Sequence, residues 1–418
     1  MQTESGLSHC PQCDHELPAD PRYVTWCDRC DWNVDPHPEH HQLAAWQQRQ
    51  QQTLYRDWER GAVTRPGSWA ARAAAYSVSV PVLLVPFAGL IGGVTLLLFY
   101  RPLWFSGLLA VIALVIGAAF RPRPQELPPD AQPVSPADAP QLYAVLDDLG
   151  RITRTKLTGV YLHTGPTIGY ARITWRFRPV LAIGTSYWAA LEPQERVAVI
   201  AHELSRARSS RLALTIAAAR HVLTGLIASF QPGPLDEARH DEAQRVLPSH
   251  AGGVVSAQDD VIVNYYLTKL ANLVFGPAPR LYLAAFQRVT LRPTQYAVYA
   301  ADRRAAELAG TKATVQALEK ALLADTGFRA LERALRYNRD EDPTAAARRA
   351  VTEVPARELD RRIRLTRRCG TPDVPPTYLR LQLLQQSSTQ PQVVLTADLD
   401  QELRPATQAA LAVLRQEL

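Results

Sequence analysis

The chain has 418 residues, 47% of them hydrophobic, and a net charge of +6. That length leaves room for two or three units, because a single core seldom grows past about 250–300 residues. Only four of the 46 basic residues are lysines, and no basic face with interleaved aromatics stands out, which argues against a nucleic-acid partner.

Residues 1–40 are polar, rich in Cys, His and Pro, and without helical period. They hold no long apolar run, so no signal peptide is expected and the thiols should be reduced in the cytosol. Cys10–Cys13 and Cys27–Cys30 form two CxxC pairs separated by thirteen residues. Two thiolates from one tight turn can share a metal, and two such turns complete a tetrahedron of sulfurs, which suits a structural zinc with no open position. Too few apolar residues surround these cysteines to fold alone, so the metal should supply the folding energy. His9 and His15 lie close enough to compete as ligands, but four cysteines need no help. Two disulfides or a redox pair are the alternative.

Residues 41–72 are expected to form a polar juxtamembrane helix. Trp46, Tyr55, Trp58 and Trp69, interspersed with arginines, suit a headgroup interface. Residues 73–100 and 102–120 then carry no charge. Each is about the length that spans a bilayer, and the turn between them around Arg101 is short. The region 73–120 therefore reads as a two-helix transmembrane hairpin, with Pro81 and Pro86 tolerated inside the first span. Arg65, Arg72, Arg121 and Arg123 flank the outer ends. The positive-inside rule places both termini in the cytosol of a multi-pass protein of the cell membrane.

A proline-rich linker is expected over 121–137, followed by a soluble domain over 138–418. It opens with a helix near 138–154, then strand-like runs near 158–163, 167–175 and 178–184. A helix follows over 193–208, with Pro193 and Glu195 in its first turn and Val197, Ile200 and Leu204 at helical spacing. Leu212 to Phe230 is apolar, but Arg220 and His221 sit in its middle, where a charge is costly in a membrane. It is read as a buried or membrane-grazing helix. The expected class is α+β, mostly helical with a small antiparallel sheet.

Several motifs recur in a fixed order. They are Gly169-Tyr-Ala-Arg172, Val180-Leu-Ala-Ile-Gly184, the stretch LEPQERVAVIAHELSR ending at Arg206, Val298-Tyr-Ala-Ala-Asp302, and Val374-Pro-Pro-Thr377 with Arg380. Over roughly residues 138–385 this order resembles the HtpX-like membrane zinc metallopeptidases, the group that includes the CAAX prenyl endopeptidases. The ribbon segment TWCDRCDWNVDP is similar to those ahead of many bacterial proteins of this kind. The resemblance implies a gluzincin-type domain. In it His202 would be the first zinc ligand, Glu203 the general base, position 206 the second ligand, position 298 the third, and Asp302 a supporting carboxylate.

This chain departs from that pattern at two of the three ligands. Arg206 stands where the second histidine belongs and Val298 where the glutamate belongs. A catalytic zinc needs three protein ligands plus water, so the catalytic zinc is expected to be absent, with His202, Glu203 and Asp302 left over from the motif. Glu307 is half a turn off the face of Val298, and His221, His240 and His250 lie beyond the helix, so none replaces a ligand. Arg206 is expected to fill the space of the zinc and pair with Glu203, Asp302 or both. Cys369 reads as an incidental thiol. The function expected is a membrane-anchored pseudopeptidase that binds peptides or membrane-protein partners without cleaving them. The alternative is an active zinc endopeptidase in membrane-protein quality control.

Overall fold

The computed structural model describes residues 9–18, 20–36, 45–60, 69–99, 103–119, 126–173, 178–207, 210–229, 269–338 without 271, 274 and 275, 340–367, 374–395 and 399–418. They are mostly helical, with one small sheet. Chain contacts divide them into two units: residues 1–66, 124–210 and 294–418 form one, and residues 67–123 and 211–293 the other. Residues 211–293 thus group with the apolar hairpin rather than with the rest of the expected domain 138–418. Arg65, Arg101, Arg121, Arg123, His240, His250 and Cys369 lie outside the described residues.

The sheet belongs to the first unit. Its strands are β1 (Gln132–Val134), β2 (Gly159–His163), β3 (Ile168–Ile173) and β4 (Arg178–Gly184), in the order β1-β2-β4-β3. The expected antiparallel sheet is corrected to a mixed one. β1 and β3 pair antiparallel, but β2 and β4 run parallel, with Val160 opposite Leu181 and Leu162 opposite Ile183. After β2 the chain passes to the outer edge as β3 and returns as β4 between the two. The short connection crosses the end of β4 so closely that a Cβ on Gly184 would stand 2.2 Å from the Gly165 carbonyl oxygen. Only glycine fits there. The end of the proline-rich linker is no spacer, since β1 is built from it.

One core joins this sheet to helices α4 (Pro140–Thr153), α5 (Thr185–Ala190) and α6 (Pro193–Ala207). Leu142, Leu146 and Leu149 of α4 and Val197, Ile200 and Leu204 of α6 repeat every three or four residues and are buried, as an amphipathic helix requires. The start of α6 is held by Glu195, whose carboxylate accepts from the Glu192 N–H at 2.8 Å and from Lys320 Nζ at 2.7 Å, closing an otherwise orphaned donor. Helix α1 (Ala45–Glu59) also belongs to this unit. Its Trp58 ring lies 5.2 Å from that of Tyr296 and 5.8 Å from that of Tyr299. Gln386 donates to Tyr55. Both aromatics are half-buried, each with one side against protein.

The second unit contains α2 (Trp69–Phe99), α3 (Leu103–Ala119), α7 (Ser210–Ser229, described here from Arg211) and the first part of α8 (Pro277–Ala309), to Pro293. α2 and α3 are antiparallel: a Cβ on Gly89 would meet the Ala113 and Gly117 backbone, and one on Gly93 would meet Ala110 and Leu114. Small residues at this spacing let two apolar helices approach closely. Their outer faces expose Leu84, Phe87, Ile91, Leu108, Val111 and Val115. Two helices, Trp69–Phe99 and Arg211–Ala228, are long and apolar enough to cross a membrane. α3 is strongly apolar but spans 17 residues. A smaller core gathers Ala75, Val82, Ile216, Ala219, Val222, Leu223 and Phe286.

Helices α9 (Thr311–Ala321), α10 (Ala324–Tyr337), α11 (Pro343–Thr352), α12 (Ala356–Leu365), α13 (Thr377–Gln385) and α14 (Leu399–Glu417) complete the first unit.

Candidate metal centre and the His202 cluster

The two CxxC turns are built alike. The Cys10 N–H donates to the His15 carbonyl at 2.8 Å, and the Cys27 N–H to the Trp32 carbonyl at 3.0 Å. The residue after each pair turns left-handed, Asp14 at φ 55° and Asp31 at φ 57°, a conformation that short polar side chains tolerate. The turns bring all four sulfurs within 4.8 Å of one another, with Cys10 Sγ 3.5 Å from Cys30 Sγ and Cys13 Sγ 3.6 Å from Cys27 Sγ. A tetrahedron with metal–sulfur bonds of about 2.3 Å has edges of about 3.8 Å, so the cluster fits a metal ion. Burial raises the Cys10 thiol, but the N–H groups of Gln12 and Cys13 and the neighbouring thiols more than offset it, leaving it at about 7. Burial and the other sulfurs push Cys30 up to about 12. A cation at the centre is what would let all four ionise together. Among the described residues this is the one group of three or more metal-ligating side chains that converges. His15 lies 3.5 Å from Asp28 instead.

The second constellation gathers around α6. His202 and Glu203 sit side by side on it, and His202 Nδ1 lies 3.0 Å from Asp302 Oδ1 on α8. Arg380 on α13 grips the same carboxylate with both arms of its guanidinium, at 2.7 and 2.6 Å. Asp302 and Arg380 are both buried. Burial alone would raise the Asp302 carboxyl. The Arg380 charge and hydrogen bonds, with His202 behind them, hold it at about 2. The same pairing raises Arg380 against the effect of its own burial.

Glu203 is also buried, and its carboxylate accepts from the Tyr170 N–H of β3 at 3.1 Å. β3 is the sheet's edge, and Glu203 takes up one of the edge donors that β4 cannot satisfy. His202 Nε2 stands 3.7 Å from Glu203 Oε1.

Arg206 makes the expected ion pair with Glu203, but only loosely, and it does not pair with Asp302. Its guanidinium stands 3.8 Å from Glu203 Oε1, longer than a hydrogen bond, and its side chain is 46% exposed. Asp302 is held by Arg380 and His202, not by Arg206. The cation that balances the buried carboxylate comes from α13 because Arg380 reaches it in the bidentate geometry a guanidinium favours. Sequence order placed Arg380 in a late motif but gave no sign of its partner, 78 residues away. Val298 is buried one turn before Asp302 and offers no lone pair. Glu307 is engaged by Arg304 at 2.8 Å, and His221 is exposed. Neither supplies a ligand here.

No family model matches this chain, nor does any curated protein or solved structure.

Proposed function

We propose that the chain is a membrane-anchored, HtpX-like metallopeptidase relative whose peptidase site holds no catalytic zinc and which engages peptide segments of membrane proteins without cutting them. The observation that carries this reading is the fate of the three ligand positions. His202 is braced on Asp302, position 206 is an arginine whose side chain is half exposed, and position 298 is a buried valine. One imidazole cannot hold a catalytic zinc, and without the metal Glu203 has no water of lowered pKa to activate. The free edge of β3 offers backbone groups to an extended peptide in the manner of an added strand. The ribbon cysteines take a structural zinc, and the α2–α3 hairpin anchors the chain in the bilayer with both termini cytosolic.

The test is metal content of the full chain in a neutral detergent. One zinc per chain is the expected result, lost on mutating Cys13 and Cys27, together with no cleavage of casein. Two zincs per chain, with chelator-sensitive cleavage abolished by Glu203→Gln, would overturn the proposal. It would favour instead an active zinc endopeptidase in membrane-protein quality control. That second reading draws on the His202–Asp302 contact, which orients an imidazole as metal-bound histidines are oriented. Introducing Arg206→His together with Val298→Glu should add a second metal to the chain.

A further inference from the structure

Among the described residues, the ribbon meets α12 along one face. Three arginines on α12, at spacings of three and four, reach the ribbon from that face. Arg357 Nη2 donates to the Trp26 carbonyl at 2.5 Å, Arg361 Nη1 to the Val34 carbonyl at 2.9 Å, and Arg364 Nη1 to the Asp28 carbonyl at 2.6 Å and to Asp31 Oδ1 at 2.7 Å. The guanidiniums of Arg357 and Arg364 each lie 5.2 Å from the ring of Trp26, which is 2% exposed. A tryptophan between two cations, with backbone carbonyls as acceptors, is a specific dock rather than a chance surface contact.

The contact continues beyond α12. Arg367 reaches Asp31 Oδ2 at 3.4 Å while its guanidinium lies 5.0 Å from the Tyr378 ring. Thr366 Oγ1 accepts from the Tyr378 N–H at 3.1 Å. Tyr378 stands in the first turn of α13, two residues before Arg380, and Arg380 holds Asp302 and through it His202. Asp31, which both Arg364 and Arg367 grip, directly follows Cys30 and owes its left-handed backbone to the second CxxC turn. A metal that closes that turn therefore also places Asp31.

We propose that the metal-loaded ribbon is an intramolecular clamp that, through Asp31, Arg364 and Arg367, fixes α13 and so sets the Arg380–Asp302–His202 arrangement. The proposal rests on the metal reading of the four cysteines and on the His202 cluster as the functional site. It makes ribbon metal occupancy a control on that site. Loss of the metal loosens α12 and α13 while the α4–α6 core stays folded.

Hydrogen exchange on the full chain in neutral detergent tests it, with three samples: zinc-loaded, chelator-stripped, and an Arg364→Gln/Arg367→Gln variant that keeps its cysteines. Stripping should speed exchange over residues 377–385 by at least about tenfold, the signature of local opening, and should move the His202 ring resonances. Helices α4 and α6 should keep their protection. The double variant should reproduce both changes with the metal still bound. A stripped chain that changes only over residues 9–36, or one that loses protection in α4 and α6 as well, would overturn the clamp. So would a double variant with α13 unaltered. If the chain carries no metal at its cysteines, the metal reading fails, and the double variant alone decides whether the dock sets α13.

Discussion

Asp302 is the residue on which the first unit's polar interior turns. Its carboxylate faces one guanidinium and one imidazole, and it is the carboxylate that pairs directly with the buried Arg380. Removing one member of a buried ion pair strands the other, at about 3–5 kcal/mol. Arg380→Ala should therefore cost about that much in denaturant unfolding. Arg206→Ala, on a half-exposed side chain, should cost no more than about 1 kcal/mol. Comparable losses for the two would refute the assignment of Arg380 as the balancing cation. The pH dependence has a definite sign. The Asp302 carboxyl sits at about 2 in the folded chain, below its ordinary value of 3.8. Its contribution is complete above about pH 4 and disappears as the pH falls through 2, a change of roughly 2 kcal/mol. Asp302→Asn should flatten that part of the stability profile. Asp302 and Arg380 were singled out in the sequence, but their pairing was not legible there. The histidine and glutamate announced themselves by adjacency, whereas an ion pair between residues 302 and 380 leaves no spacing to read. Arg206, one turn from His202 on the same helix, was the natural candidate; it pairs loosely with Glu203 and leaves Asp302 to Arg380.

Elements specified by local pattern are those that the sequence revealed. The CxxC turns need only four residues each, and the apolar runs of α2 and α3 need only their length. Three of the four strands were read nearly to the residue, but β1 was taken for linker and the pairing was not read. Parallel β2–β4 neighbours arise because β3 passes outside before β4 returns, and that choice rests on long-range packing of α6 against the sheet. The protein contacts of Tyr55 and Trp58 were not legible for the same reason: a helix pattern shows a partner face but not what covers it. The hairpin itself offers a sharper test. A side chain on Gly117 would stand 2.7 Å from the Pro86 carbonyl oxygen and 2.9 Å from the Leu90 nitrogen, so backbone would have to move. Gly117→Leu should destabilise the hairpin by about 1–3 kcal/mol, the usual cost of overpacking. Val111→Leu, on the outward face at 55% exposure, should leave thermal unfolding in detergent unchanged. Equal behaviour of the two variants would show that the helices do not pack through Gly117.

At the scale of the whole chain, the ribbon dock constrains the proposed membrane topology. The ribbon precedes the apolar hairpin and α12 follows it, yet Trp26 and Asp31 touch Arg357 and Arg364 directly. Both ends must therefore lie on one side, and the number of crossings between them is even. The same holds within 211–293, because residues 124–210 and 294–418 share one unit. A crossing by α7 would need a second crossing in that segment, whereas the α2–α3 hairpin satisfies the rule by itself. The proposed side follows from charge. Arg65 and Arg72 precede the first span and Arg121 and Arg123 follow the second, against Arg101 alone in the turn, and arginines near span ends stay cytosolic. A single cysteine introduced as Pro102→Cys, in a Cys369→Ser background, should react with an impermeant maleimide on intact cells. Gln50→Cys, on the exposed face of α1, should react only after lysis. The reverse pattern would place ribbon and His202 cluster outside the cell, where a reduced four-thiolate metal site is not expected to persist. Labelling of both from outside, or of neither, would show that the hairpin does not cross the bilayer.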